Sequence, residues 1–257
     1  MTFYPQYCEA AALASTVLLI MYFLKQNYRT TRNRLFLLLV VGNLVASILN
    51  ILSAYAIVKP QEYSLRTLYL LNELYYAVYN YLAVILTMYV GVLVNSQKYR
   101  RFTRYLAVFV FCVQSILIFT THITHFIFSF DENKIYSRNQ GLTFLYLLAF
   151  ICVIIANSAI VFFRKEFNRY QVVSATCFLM GIVLSIIIQT FNYEYLITNL
   201  TLAMVLFFVY SAFENPAYYL YGDTQCFNRR ALLHTMRKKA KKGVGRTGKG
   251  GKSNPLS

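Results

Sequence analysis

Glu73, Tyr76 and Asn80 stand three and four residues apart, the spacing that lays side chains on one face of a helix. A carboxylate, a phenol and an amide on one face form a set able to hold an ion or a small hydrogen-bonding molecule. They lie in an otherwise apolar run, next to Asn72, Tyr75, Tyr79 and Tyr81. In hydrocarbon such side chains are costly, so they turn toward the interior of a helix bundle and mark ligand or ion sites. His122 and His125 fall one turn apart at the end of a later run, and Gln189 and Asn192 close another. Glu73, Tyr76, Asn80, His122, His125, Gln189 and Asn192 are therefore the candidate lining of a pocket for a small extracellular ligand or ion. Two histidines without a third ligand do not make a metal site, and the expected catalytic set, metal and cofactor are all none. Asn43, Asn50, Asn157 and Asn199 are isolated amides in other runs, suited to bonding one helix to another.

The elements that carry these residues are seven apolar runs, at 7–24, 35–58, 67–94, 105–129, 141–163, 171–190 and 196–213. Each is near the ~20 residues that a spanning helix requires. They are apolar around their whole circumference, as burial in lipid demands. Composition agrees: 58% of the 257 residues are hydrophobic and 13% charged, against about 25% charged in a typical globular protein. The predicted fold class is all-α, a seven-transmembrane-helix bundle. No Pro falls within the runs and no Lys within the seventh, which disfavours broken transporter helices and a retinal Schiff base. The five Cys place only Cys8 near the predicted outer face, so no disulfide between outer loops is expected.

Charge sets the orientation. The net charge is +16, yet of the 25 basic residues only Lys59, Arg66, Lys134 and Arg138 lie in the even-numbered connections. The odd connections hold Lys25, Arg29, Arg32 and Arg34, then Lys98, Arg100, Arg101 and Arg104, then Arg164, Lys165 and Arg169. Lys and Arg are retained on the cytoplasmic side, which puts the N-terminus outside and the C-terminus in the cytoplasm. The excess charge then records topology and anionic-lipid contact, not nucleic-acid binding. Residues 1–9 lack a basic n-region, so the first run is expected to be a retained helix and not a cleaved leader. With Trp absent, the 23 Tyr must supply the interfacial belt.

The segment after the last run reads Glu214-Asn215-Pro216-Ala217-Tyr218-Tyr219-Leu220-Tyr221-Gly222-Asp223-Thr224-Gln225-Cys226-Phe227-Asn228-Arg229-Arg230-Ala231-Leu232. Asn215-Pro216-Ala217-Tyr218-Tyr219 fits the NPxxY pattern of G-protein-coupled receptors. It falls after the helix, however, and Lys98-Tyr99-Arg100-Arg101 stands where that family has an acid-Arg-Tyr motif. The stretch from Thr224 through Phe227, Asn228, Arg229 and Arg230 resembles the opening of a bacterial GGDEF (diguanylate cyclase) domain, D-x-x-T-G-x-[FY]-N-R-R-A-[FL]. Tyr221 replaces the usual Asp and Gln225 the usual Gly. The resemblance covers about a dozen residues strictly, and more loosely the plan of seven helices running directly into this motif. It implies the sensor half of a membrane enzyme that makes cyclic di-GMP, in a bacterial inner membrane, with homodimers as the working state.

The resemblance stops near 238: no signature loop for the GTP phosphates and no metal-binding carboxylates follow. The expected organisation is a sensor domain at 1–214, a juxtamembrane linker at 215–222, the start of a truncated GGDEF domain at 223–238, and a disordered basic tail at 239–257. The tail's change of character reads as a frame-shift or truncation, and no enzyme activity is expected of the chain. Its Gly/Lys spacing near Gly248 and Lys249 follows no strand and opens no helix, which a phosphate loop requires. Two other functions fit seven helices: a free-standing receptor that signals through a separate cytoplasmic partner, and a small transporter.

Overall fold

A computed structural model describes residues 4–24, 30–167, 169–191 and 196–214. These belong to one compact unit, Met1–Glu214. The GGDEF-like residues Thr224, Phe227, Asn228, Arg229 and Arg230, the linker and the tail lie outside the described residues.

That unit is helical almost throughout. The helices are α1 (Gln6–Leu24), α2 (Thr31–Val58), α3 (Leu65–Leu93), α4 (Gln97–Phe119), the single turn α5 (Thr121–Thr124), α6 (Gln140–Phe162), α7 (Arg169–Phe191) and α8 (Thr198–Val209). The last continues as a wider π-helical turn, Tyr210–Glu214. Five of them, α1, α2, α3, α4 and α6, are long and apolar enough to cross a membrane. Their outward faces carry large apolar side chains such as Phe23, Phe109, Ile116 and Phe162, each at least 64% exposed. In water that surface would be a liability; against lipid it is the expected outside of a membrane protein.

Helix starts follow local chemistry. The hydroxyls of Thr30, Ser64 and Ser96 accept the backbone N–H of Asn33, Thr67 and Tyr99, satisfying donors that the first helical turn leaves open. Ser96 moves the start of the fourth helix forward. The run predicted at 105–129 begins at Gln97, so Lys98, Arg100, Arg101 and Arg104 sit in its first turns and not in a connection.

That run also ends ten residues early, and a short hairpin follows it within a unit that is otherwise all-α. The hydroxyls of Thr120, Thr121 and Thr124 bond to carbonyls four residues back. His125 takes a left-handed conformation, φ 53°, which stops the helix. The chain then forms an antiparallel hairpin of β1 (Phe128–Phe130) and β2 (Tyr136–Arg138), pairing Phe128 with Arg138 and Phe130 with Tyr136. Asp131 shapes its turn, accepting the Ile135 N–H on its side chain and the Lys134 N–H on its carbonyl.

The centre of the bundle is α3, which packs against α2, α4 and α6. In its most apolar 18-residue stretch 56% of residues are buried, against 28–39% in the other four long helices. Polar bonds tie it to each neighbour: Ser53 of α2 donates to Asn72, Tyr81 pairs with Ser115 of α4, and the Thr87 hydroxyl donates to the Cys152 carbonyl of α6. On the far side of α2, the Asn43 amide donates to the Ser15 hydroxyl and the Asn199 carbonyl, and that of Asn50 to the Cys8 sulfur. Both amides thus join helices, as their isolation in the sequence predicts.

Near the hairpin-distal end, α3 and α4 approach closely because Gly91 has no side chain. A Cβ there would lie 2.3 Å from Thr103 Oγ1 and 3.1 Å from its Cβ. Gly91→Ala should therefore lower the thermal midpoint of the detergent-solubilised protein, by an overpacking cost of about 1–3 kcal/mol. Thr103→Ala in the same chain should recover most of the loss. A Gly91→Ala protein as stable as the parent would refute this contact.

Candidate functional site

Three side chains of α3 face the hairpin end of the bundle from successive positions, Tyr69, Glu73 and Tyr76. Opposite them lie α5 and the hairpin. Glu73 is 6% exposed, and its Oε1 accepts both the backbone N–H of His122 and, at 3.2 Å, the ring Nδ1 of the same residue. The His122 side chain is half-exposed. One turn away the Tyr69 hydroxyl lies 2.9 Å from His125 Nδ1 and also accepts the Phe130 N–H. One turn in the other direction the hydroxyls of Tyr76 and Tyr136 are 2.7 Å apart.

Rings fill the space between these bonds. Phe128 stacks on Tyr69 and packs against Tyr76 and Tyr136, and Phe130 meets Tyr69 edge-on. Two further bonds reach the link between α2 and α3: Lys134 Nζ donates to the Tyr63 carbonyl and Gln61 Nε2 to that of Asn133. On the α6 side, Asn139 donates its amide to the His125 carbonyl, and the Gly141 N–H bonds to Phe126. The segment from Thr121 to Asn139 is thus a cap held on the end of α3.

Beside the cap is a cavity whose lining includes Asn50, Ser53, Asn72, Tyr75, Tyr76, Tyr136, Arg138 and Tyr146. Burial pushes the Tyr136 phenol above its ordinary range, against the lowering effect of the nearby Arg138 charge and the Tyr76 bond. At neutral pH it is a neutral hydroxyl. The volume open to the centre of a water molecule is about 20 Å³, room for about one water.

Of the residues singled out by spacing, the structure brings Glu73 and His122 into contact and sets Tyr76 at the cavity wall. His125 bonds to Tyr69 one turn from that pair. Asn80 is fully buried, donates its amide back to the Tyr76 carbonyl, and does not line the cavity. The side chain of Gln189, and Asn192 altogether, lie outside the described residues. Among the described residues no group of three or more His, Cys, Asp or Glu is placed to hold a metal ion.

Sequence reasoning missed Tyr69, although it stands four residues before Glu73 on the same face. Tyr136 and Arg138 had no such signal, since they reach the site only through the hairpin.

Comparison with known protein families, curated proteins and solved structures gives no match.

The paired hydroxyls give a direct check. Tyr76→Phe removes one partner of the buried Tyr136 hydroxyl and leaves it Arg138, at a cost of about 0.5–1.5 kcal/mol. Tyr76→Phe with Tyr136→Phe should cost less than the sum of the two single changes. Thermal unfolding of the four proteins in one detergent measures this, and strict additivity would sink it.

Proposed function

We propose that this chain is the input half of a bacterial membrane sensor, a seven-helix bundle of the inner membrane with its N-terminus outside. In this reading α7 and α8 complete the set of spans that α1, α2, α3, α4 and α6 begin. The hairpin end faces outward, because Lys and Arg concentrate at the opposite end, in the first turns of α2 and α4 and at Arg164, Lys165 and Arg169. The cap and the cavity beside it then receive the signal. The observation that carries the reading is the gathering of Tyr69, Glu73 and Tyr76 with His122, His125 and Tyr136 at that one end.

Output passes through the end of α8 and residues 213–221. Tyr210 at that end donates to the Met21 carbonyl of α1 and stacks on Phe36 of α2, so a shift among these helices moves the exit of the chain. Beyond it the likeness at Thr224–Leu232 supports a cyclic di-GMP output made by a GGDEF domain, with two copies of the chain paired.

The test is a fusion of residues 1–222 to an intact diguanylate cyclase domain, expressed in a bacterium free of other cyclases. Cyclic di-GMP should form, and Glu73→Gln should change its level severalfold at equal expression. Output that ignores Glu73→Gln and every other change in the cap would overturn the sensor reading, leaving a free-standing receptor with its own partner as the better account.

A further inference from the structure

The cap is closed in this structure, and the cavity beside it has room for about one water. A signal that needs no volume suits such a site better than an organic molecule does. We propose, building on the sensor reading, that the signal read at the hairpin end is the hydrogen ion, and that His122 against Glu73 is the latch it closes.

The charge balance is simple. With His122 neutral, the nearly buried Glu73 carboxylate leaves one negative charge in a mostly apolar site, held by a backbone N–H and a neutral ring N–H. A proton from the outer solution adds to the half-exposed imidazole at Nε2. Nδ1–H then donates from a cation to an anion, and the pair becomes neutral overall. Burial of a net charge is relieved and the bond is strengthened. Acid thus fastens α5 to α3, and with it the hairpin. The sense holds until the carboxylate itself takes a proton.

The geometry gives the proton leverage over the whole cap. His122 opens the segment and His125 closes its helical turn, with a left-handed backbone that leads directly into the hairpin. Tyr69 serves His125 in either state, donating to a neutral Nδ1 or accepting from a protonated one. Tyr76 on α3, Tyr136 and Arg138 on β2 and Tyr146 on α6 line the cavity beside the cap. Asp131 and Lys134, in the hairpin turn, are engaged by the Ile135 N–H and the Tyr63 carbonyl. Imidazole is the side chain whose ordinary charge change falls between pH 5 and 8.

The experiment is hydrogen exchange on the full 257-residue protein in lipid vesicles from pH 5.5 to 8, corrected for intrinsic exchange rates. Amides of residues 121–138 should be severalfold more protected at pH 5.5 than at pH 8. Glu73→Gln and His122→Gln should each flatten that profile, while His125→Gln should keep it. His122→Gln changes a half-exposed side chain, so it supplies the answer if Glu73→Gln does not fold. A parent protein with pH-independent protection, or a His122→Gln protein that keeps the full profile, would overturn the latch. Exchange is read on the chain itself, so its outcome is separate from that of the cyclase fusion. A flat profile with a responsive fusion removes the latch alone, and a steep profile with an unresponsive fusion removes the sensor reading alone.

Discussion

A polar side chain among helices that face hydrocarbon has to find its partner inside the protein, and α3 shows how this chain meets that demand. Its buried face carries Asn72, Glu73, Asn80 and Thr87, with the phenols of Tyr75 and Tyr76. Ser53 bonds to Asn72, His122 to Glu73, Tyr136 to Tyr76, and Thr87 to the Cys152 carbonyl. One helix is thus tied to α2, to the cap and to α6 by groups that have no alternative partner in lipid. Individually such bonds are modest, about 0.6 kcal/mol on average between membrane helices. Together they fix the rotation of α3, because turning it would expose all of them at once.

The same constraint explains which parts of the fold the sequence reveals. A lipid-facing helix must be apolar all round, so α1, α2, α3 and α6 are visible as runs whose limits fall within a few residues of the observed ends. The fourth run misleads because its far end is apolar for a different reason. Ile127, Phe128 and Phe130 are buried under Tyr69 and Tyr76, as parts of a hairpin and not of a span. Three-residue strands are too short to show a period of two. The signals that were present are local: threonines that bond back to their own helix, and an Asp131–Lys134 turn.

Spacing was a good guide along α3 and a poor one across the bundle. It placed Glu73, Tyr76 and Asn80 on one face, and all three are buried there. Seven residues of helix, however, separate Asn80 from Glu73 by about 10 Å along the axis. That depth carries Asn80 below the cap, where the residues it meets belong to the core of the bundle. A period of 3.6 reports direction and says nothing of how far a partner on another element reaches. For the same reason Tyr69, above Glu73 and under the cap, belongs to the site while Asn80 does not.

A signal received at the cap has a physical route to the other end only if the intervening helices move as units. The bonds run from the cap to α3, from Asn72 to Ser53 of α2, from Asn43 of α2 to the Asn199 carbonyl of α8, and from Tyr210 to the Met21 carbonyl of α1. Contacts in series carry no message unless one of them has two arrangements. The cap is the element suited to that, since it is anchored at both ends and held in the middle by a contact between a nearly buried carboxylate and a half-exposed imidazole. Fastening it draws on Glu73, which shares a turn of α3 with Asn72 and so with the bond to α2. The rigid polar core would then do for a signal what it does for stability: it leaves α3 no way to shift without shifting its neighbours.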